Sequence, residues 1–173
     1  MYVIENNLDL TYKQHSFIEY ASSENLPWRF APSTSKEFMY FHHPLMIRNT
    51  ANNPVSGEIT SPHYDVCLSI FDKFCKENDV SYTNVLRASI NNTSYFPQKH
   101  NGIHKDHPFD HSNFILYLNE FDNGYTYLFD DDKKLVHTII PKQNKGVVFS
   151  NSFHAQGFCT PNQYRLILLF TFN

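Results

Sequence analysis

The residues best suited to chemistry lie in the second half of the chain, beginning with the triplet His104-Lys105-Asp106. In an extended segment, residues two apart point the same way, so the imidazole and the carboxylate can reach one metal ion. His154 follows the apolar run 146–150 and can supply a third ligand from a different strand. Two histidines and one carboxylate on one side of an ion leave its remaining positions open, an arrangement that suits Fe(II) and its reactions with O2.

Two further residues interrupt strongly apolar runs. Arg165 lies within the run 164–172, and Tyr117 lies within the run 113–119. A buried arginine is costly without a partner, so a bound carboxylate explains its position, and a structural pair with Asp or Glu is the alternative. An anionic keto acid that chelates the metal would place a second carboxylate against Arg165, with the Tyr117 hydroxyl as an additional donor.

Four histidines between residues 100 and 111 raise the alternative of a local zinc cluster: His100, His104, His107 and His111. His107 and His111 have the spacing of a helical zinc pair, but Pro108 between them disfavours a helix. A solvent-facing or supporting role fits these two histidines better, such as orienting Asp106 or a ligand histidine.

From Asn84 onward the sequence has the pattern of a β protein. Apolar, β-branched and aromatic runs alternate with turn residues, and Asn123-Gly124 predicts a hairpin. The runs cover 85–90, 113–119, 125–130, 135–140, 146–150 and 164–172. Six strands preceded by helices predict a mainly β fold with flanking α, a jelly roll with helices packed on one sheet. The runs 113–119 and 165–172 are apolar at both alternations, which predicts central strands covered on both faces.

The first half of the chain has a mixed pattern. Thr11 and Gln14 form a capping box before a helix over 12–23. Ser61 and Pro62 predict the N-cap and first residue of a second helix, whose apolar stripe runs from 66 to 75. Two short strands, 38–43 and 45–48, are expected on either side of Pro44. The loop 48–58 and the segment 95–103 are expected to form a lid.

The bulk composition fits one domain over 1–173, with 1–83 as a mixed helical support and 84–173 as the jelly-roll core. Aromatic residues make up 16% of the chain and its formal net charge is -3. This charge gives no general attraction to nucleic acid or to an anionic membrane. The chain has no apolar stretch of membrane-spanning length and does not begin with a signal-peptide pattern, so a soluble, cytoplasmic protein is expected.

Residues from about 84 to 173 resemble the double-stranded β-helix core of 2-oxoglutarate/Fe(II) dioxygenases of the prolyl-4-hydroxylase type. In particular they resemble the short versions frequent in tailed phages, which would place the protein in the cytoplasm of an infected bacterial cell. The resemblance rests on HKDHP (104–108), FILYLN (114–119), NGYTYLF (123–129), VVFSNSFHAQG (147–157) and YRLILLFTF (164–172). Asn123-Gly124 stands where the family usually has a pair of glycines, and the first ninety residues match no motif of the family.

The resemblance implies Fe(II), 2-oxoglutarate and O2 as the reacting partners. It makes His104, Asp106 and His154 the iron ligands, and Arg165 the residue that binds the distal carboxylate of 2-oxoglutarate. Tyr117 and, as the nearest match to a family tyrosine, Tyr95 would contact the keto acid.

The expected reaction is hydroxylation, or a demethylation that passes through it, with release of succinate and CO2. The favoured substrate is a prolyl or other side chain of a peptide or protein. A small molecule comes next, and nucleic acid is the least favoured because the chain has no basic stripe. The rival from another class is a non-catalytic, metal-binding jelly-roll module.

Overall fold

A computed structural model describes residues 2–23, 25–32, 38–49 and 54–173. Within these residues the chain forms two helices and eleven strands. In chain order they are β1 (Val3–Asn7), α1 (Tyr12–Ala21), β2 (Arg29–Pro32), β3 (Met39–Ile47), β4 (Glu58–Ile59), α2 (Tyr64–Glu77), β5 (Val85–Ser94), β6 (Ser112–Tyr117), β7 (Thr126–Phe129), β8 (Leu135–Ile139), β9 (Lys145–Ser150), β10 (Phe153–Gln156) and β11 (Tyr164–Phe172).

The strands form two antiparallel sheets. The major sheet has the order β1-β9-β6-β11-β5-β3-β2, with β4 paired to β3, and the minor sheet has the order β10-β7-β8. Strand β11 pairs with β5 on one side and with β6 on the other. The N-terminal strands extend the major sheet at both of its edges, since β1 pairs with β9 while β3 pairs with β5.

The two faces of the major sheet are covered by different partners. Alternate residues of β6, β9 and β11 pack against the minor sheet, in a cluster with Leu128 of β7 and Ile139 of β8. The intervening residues pack against the helices, where Phe71 of α2 stacks on Phe170 of β11 with ring centroids 4.8 Å apart. Because successive side chains on a strand point to opposite faces, strands covered in this way need apolar residues at every position. The prediction of central strands in a jelly roll, with helices on one sheet, is confirmed.

Helix α1 begins as predicted, but α2 does not. Thr11 Oγ1 accepts a hydrogen bond from the Gln14 N–H, and Gln14 Oε1 accepts one from the Thr11 N–H, which completes the capping box. Helix α2 starts at Tyr64 with His63 at its N-cap, so placing the N-cap at Ser61 was wrong. Ser61 instead accepts a hydrogen bond from the His63 N–H and shapes the turn that precedes the helix.

Two local predictions about strands are also corrected. The expected break at Pro44 does not occur, because β3 runs through this residue. Only the pairing of β3 with β5 is irregular, between Pro44 and Met46. The expected hairpin at Asn123-Gly124 is a crossing between sheets, because β6 pairs in the major sheet and β7 pairs in the minor one. Both residues have positive φ, so the turn chemistry was predicted correctly although the strand pairing was not.

Residues 50–53 of the expected lid loop lie outside the described residues. No helix in the described part of the chain is long and apolar enough to cross a membrane.

Candidate metal centre

Two backbone hydrogen bonds bring the two predicted ligand histidines together. The His104 N–H donates to the His154 carbonyl at 3.0 Å, and the His154 N–H donates to the His104 carbonyl at 2.9 Å. This isolated antiparallel bridge adds His104 to the edge of the minor sheet beside β10. The two imidazole rings lie side by side with centroids 4.5 Å apart.

Asp106 completes a set of three ligand residues. One ligand atom from each of His104, Asp106 and His154 lies within 4.8 Å of the other two. His154 Nε2 is 3.4 Å from Asp106 Oδ2. The alternation of an extended segment therefore turns His104 and Asp106 to the same side, as their spacing predicts.

The hydrogen bonds of both rings select the nitrogen that is free to bind a metal. His104 Nδ1 lies 2.9 Å from the Gly102 carbonyl oxygen, and His154 Nδ1 lies 3.1 Å from the Ser152 carbonyl oxygen. A carbonyl only accepts, so each Nδ1 carries a hydrogen and each Nε2 is the nitrogen left to bind a metal. Two imidazole nitrogens and one carboxylate fit Fe(II) in their donor types, and the paired carbonyls hold the rings in place for it.

The charge states of the site also favour a cation. Burial acts to raise the pKa of Asp106, but the hydrogen bond and charge of His154 and the charge of Arg87 outweigh it and hold that pKa well below its usual range. Burial, followed by the charge of His154, lowers the pKa of His104. The carboxylate is thus ionised and the His104 imidazole is favoured in its neutral, metal-binding form near neutral pH.

Arg165 is buried without an acidic partner among the described residues. It is 1% exposed, and its guanidinium donates to the Gly124 carbonyl at 3.1 Å, to Gln156 Oε1 at 3.0 Å and to Thr126 Oγ1 at 3.0 Å. These partners are all neutral, so its positive charge is solvated by dipoles and not by a carboxylate. The sequence left open an ion pair between Arg165 and an Asp or Glu, and no such pair exists in the described part of the chain. The guanidinium charge is therefore available to bind an anion.

The two predicted tyrosines differ in position. Tyr117 is fully buried, lies under the Arg165 guanidinium and directs its hydroxyl to Thr126 Oγ1 at 2.9 Å. It therefore supports Arg165 and does not line the cavity onto which the metal ligands open. Tyr95 is 46% exposed and lines a separate groove with Phe96 and Phe158. The structure does not bring Tyr95 to the metal ligands.

The three ligand residues and Arg165 open onto one cavity of about 110 Å³. Several of the polar residues that line it could not be recognised from the sequence. They lie on strands that are far apart along the chain and meet only in the folded protein. The other lining residues are Phe38, Tyr40, Arg87, Asn91, Thr93, Asn101, Ile115, Thr126, Phe149, Gln156, Ile167 and Leu169. Of these, Gln156 could have been found, because it lies two residues after His154 and so on the same face of the strand.

The other histidines of the 100–111 segment do not join the ligand set. His107 Nε2 contacts Thr171 Oγ1 at 2.8 Å, and His111 packs edge-on against His107. The His100 ring packs against Tyr127 and Phe129. Within the described ranges, the only group of three close ligand residues is the one with His104, so the local zinc cluster is not formed.

Comparison with known proteins shows the fold. No protein-family model matches the chain, and no curated protein matches it. A 2OG-Fe(II) oxygenase family oxidoreductase from Burkholderia pseudomallei has a TM-score of 0.76 at 14% identity, over 99% of this chain and 84% of its own. A prolyl-4-hydroxylase from Pseudomonas putida has a TM-score of 0.59 at 14% identity, over 99% and 92% of the two chains. A Trichoplax adhaerens prolyl hydroxylase, solved with a hypoxia inducible factor peptide fragment, has a TM-score of 0.62 at 10% identity, over 98% and 82%. The chain thus has the jelly-roll fold of the 2-oxoglutarate/Fe(II) oxygenases.

Proposed function

We propose that this protein is an Fe(II)- and 2-oxoglutarate-dependent dioxygenase. The observation that carries the proposal is a single cavity that holds both a two-histidine, one-carboxylate ligand set and a buried arginine with no acidic partner among the described residues. A non-catalytic metal-binding module needs the ligands but has no use for the buried cation. A co-substrate that chelates the metal and ends in a second carboxylate accounts for both.

The spacing along β10 supports this co-substrate. His154 and Gln156 point to the same side of the strand and are about 7 Å apart at their backbones. Gln156 Oε1 accepts a hydrogen bond from Arg165 at 3.0 Å, so the guanidinium lies one strand repeat beyond the metal ligands. A short keto dicarboxylate can bridge that gap, with its keto acid end on the metal and its distal carboxylate on Arg165 and Thr126.

In this proposal, His104, Asp106 and His154 hold Fe(II), and the Gly102 and Ser152 carbonyls fix the two imidazoles. Arg165 orients 2-oxoglutarate, with Tyr117 held under its guanidinium. Ile115, Phe149 and Leu169 form an apolar wall that excludes water. Bound Fe(II) with 2-oxoglutarate would activate O2 for hydroxylation, with succinate and CO2 as co-products.

For the substrate we propose a prolyl or other side chain of a peptide or protein. The peptide held by the Trichoplax adhaerens neighbour supports this class. A small molecule is the next candidate, and nucleic acid is less favoured because the net charge is -3. The likeness to short phage members, the cytoplasmic location and the single domain over 1–173 stay predictions.

The first experiment adds Fe(II) and 2-oxoglutarate to the protein in the absence of O2. We expect a weak visible metal-to-ligand charge-transfer band that is lost when succinate replaces 2-oxoglutarate. A protein that loads one equivalent of metal and shows no band with 2-oxoglutarate would be the binding module instead. Admitting O2 and a peptide panel, with succinate release as the readout, then identifies the substrate.

A further inference from the structure

A second set of positive charges lies next to Asp106, with one arginine in the wall of the cavity and another outside its lining. Arg87 of β5 lines the cavity, and its guanidinium nitrogen lies 3.5 Å from Asp106 Oδ1. Arg48 donates to the backbone carbonyl of Asp106 at 3.2 Å. In the part of the chain that the structure describes, Arg87 has no acidic partner other than Asp106, and Arg48 forms no ion pair.

The positive charges at this end of the sheet are close enough to act on one another. Burial and then the charges of Arg87 and Arg29 lower the pKa of His42. Arg29 and His42 are opposite each other on β2 and β3. The edge of the sheet next to the ligands is therefore a region of positive potential before any metal is present.

This positive region is distinct from the one at Arg165. Arg165 is paired with Thr93 on β5, and Arg87 lies six residues before Thr93, about 20 Å along the strand. The two arginines thus enter the cavity from well separated points of β5 and β11, with Asp106 beside Arg87. An anion on Arg165 cannot serve Arg87 at the same time.

A bound metal would make the imbalance larger. A divalent cation would take up the negative charge of Asp106, which is the acidic partner of Arg87 in the structure. In the proposed complex, one carboxylate of 2-oxoglutarate neutralises the remaining metal charge and the other neutralises Arg165. Arg87 and Arg48 are then left beside the reacting centre without a counter-charge, which is costly at a partly buried site.

From this geometry we infer that Arg87, supported by Arg48, binds an anionic group of the substrate. The inference rests on the proposed function and narrows its substrate to one that carries a carboxylate or a phosphate near the position to be oxidised. Arginine suits this role because its planar guanidinium binds both groups with two parallel hydrogen bonds. Tyr40 and Asn91 line the same cavity and present further polar groups to it.

The first test measures anion binding without turnover. The protein loaded with Mn(II) and 2-oxoglutarate is titrated with sulfate in a calorimeter, so that Arg165 is already occupied. We expect saturable sulfate binding that Arg87→Gln weakens by about tenfold or more, while Arg87→Lys retains part of it. Arg48→Gln should give a smaller loss, because Arg48 acts from behind Asp106.

Two controls separate this role from simple positioning of Asp106. Mn(II) and 2-oxoglutarate affinities are measured for each variant, and a positioning role for Arg87 would lower metal affinity without a selective loss of sulfate. Arg165→Gln should show the reverse selectivity, with weaker 2-oxoglutarate binding. If the wild-type protein binds Mn(II) and 2-oxoglutarate but no sulfate, the inference is overturned while the proposed function stands. Failure to bind 2-oxoglutarate would overturn the proposed function.

The second test uses matched substrates. Short proline-containing peptides are made in sets of three that differ at one residue, which is Asp, Asn or phosphoserine, and succinate release is measured. We expect stimulation from the Asp or the phosphoserine member and not from the Asn member, with the difference lost in Arg87→Gln. Whichever anionic member is active identifies carboxylate or phosphate as the group bound. Equal stimulation by the Asn member would refute the inference.

Discussion

Among the described residues, two pairs of histidines have ring centroids less than 5 Å apart, and only one of these pairs belongs to the candidate metal centre. The rings of His104 and His154 have centroids 4.5 Å apart, and those of His107 and His111 have centroids 4.8 Å apart. All four side chains are largely buried. In each pair at least one Nδ1 lies within hydrogen-bonding distance of a backbone carbonyl.

The difference lies in what each pair faces. His104 and His154 are joined by backbone hydrogen bonds that turn both rings toward the cavity, where the Asp106 carboxylate lies. His107 contacts the hydroxyl of Thr171 in the interior, and no third ligand atom completes the pair within the described residues. Adjacent imidazoles are therefore not enough for a metal site, and the pair of His104 and His154 differs by having a carboxylate as third ligand and a common cavity with Arg165.

Removing the carboxylate that lies beside His104 and His154 should have the largest effect. We expect Asp106→Ala to lower Fe(II) or Mn(II) affinity by about 100-fold or more and to reduce succinate formation to background, since a ligand contributes at least as much as its supporting residues do. Metal content and affinity are measured on purified protein. The matched control is His111→Gln, which alters the other pair and should keep full metal stoichiometry. Loss of metal in the control as well would mean that the pairs are not distinct.

The next effect tests whether the cavity of the ligand pair extends to Arg165. We expect Arg165→Gln to raise the dissociation constant of 2-oxoglutarate by about tenfold to 100-fold, because a charge-assisted pair is lost. Metal affinity should not change. Tyr95→Phe serves as the control, because Tyr95 lines a separate groove. This variant should bind 2-oxoglutarate with the dissociation constant of the wild type. Normal binding by Arg165→Gln would remove the anchor from the proposal.

The interior pair should matter for stability and not for metal. His107→Leu leaves the buried Thr171 hydroxyl without its imidazole partner, which we expect to lower the free energy of unfolding by about 1–3 kcal/mol. Urea unfolding of metal-free protein measures it. Adding Thr171→Val should recover part of the loss, because removing both partners costs less than removing one. A double variant less stable than His107→Leu would show that the hydrogen bond is not the cause.

The smallest effect is expected at His111. His111 Nε2 is buried with no protein partner among the described residues, so an apolar ring loses only the hydrogen bond between Nδ1 and the Phe109 carbonyl at 2.8 Å. We expect His111→Phe to change the free energy of unfolding by about 1 kcal/mol or less. The same urea experiment measures this change, and His104→Phe in parallel should abolish metal binding. A large destabilisation by His111→Phe would indicate that its Nε2 is hydrogen-bonded in solution.

Much of the site could be predicted because it depends on local geometry. The spacing of His104 and Asp106 fixes their common direction in an extended segment, and an arginine inside an apolar strand must be buried. The error at Asn123-Gly124 has a clear cause. Positive φ at both residues specifies a turn, but it does not say whether the next strand pairs with the previous one or crosses to the other sheet.

The sequence by itself determined the jelly roll, the strands covered on both faces and the residues that could bind a metal, because these follow from residue type and alternation. Only the tertiary structure decided which histidines meet a carboxylate, where Tyr95 lies, and that Arg48 and Arg87 flank Asp106. Asp106 contacts Arg87, His154 and Arg48, which lie 19, 48 and 58 positions away along the chain, through sheet pairing and loop packing. The residues next to each of these positions do not specify such contacts. An apolar strand can pair with several other apolar strands, and the strand order is decided only when the whole sheet forms.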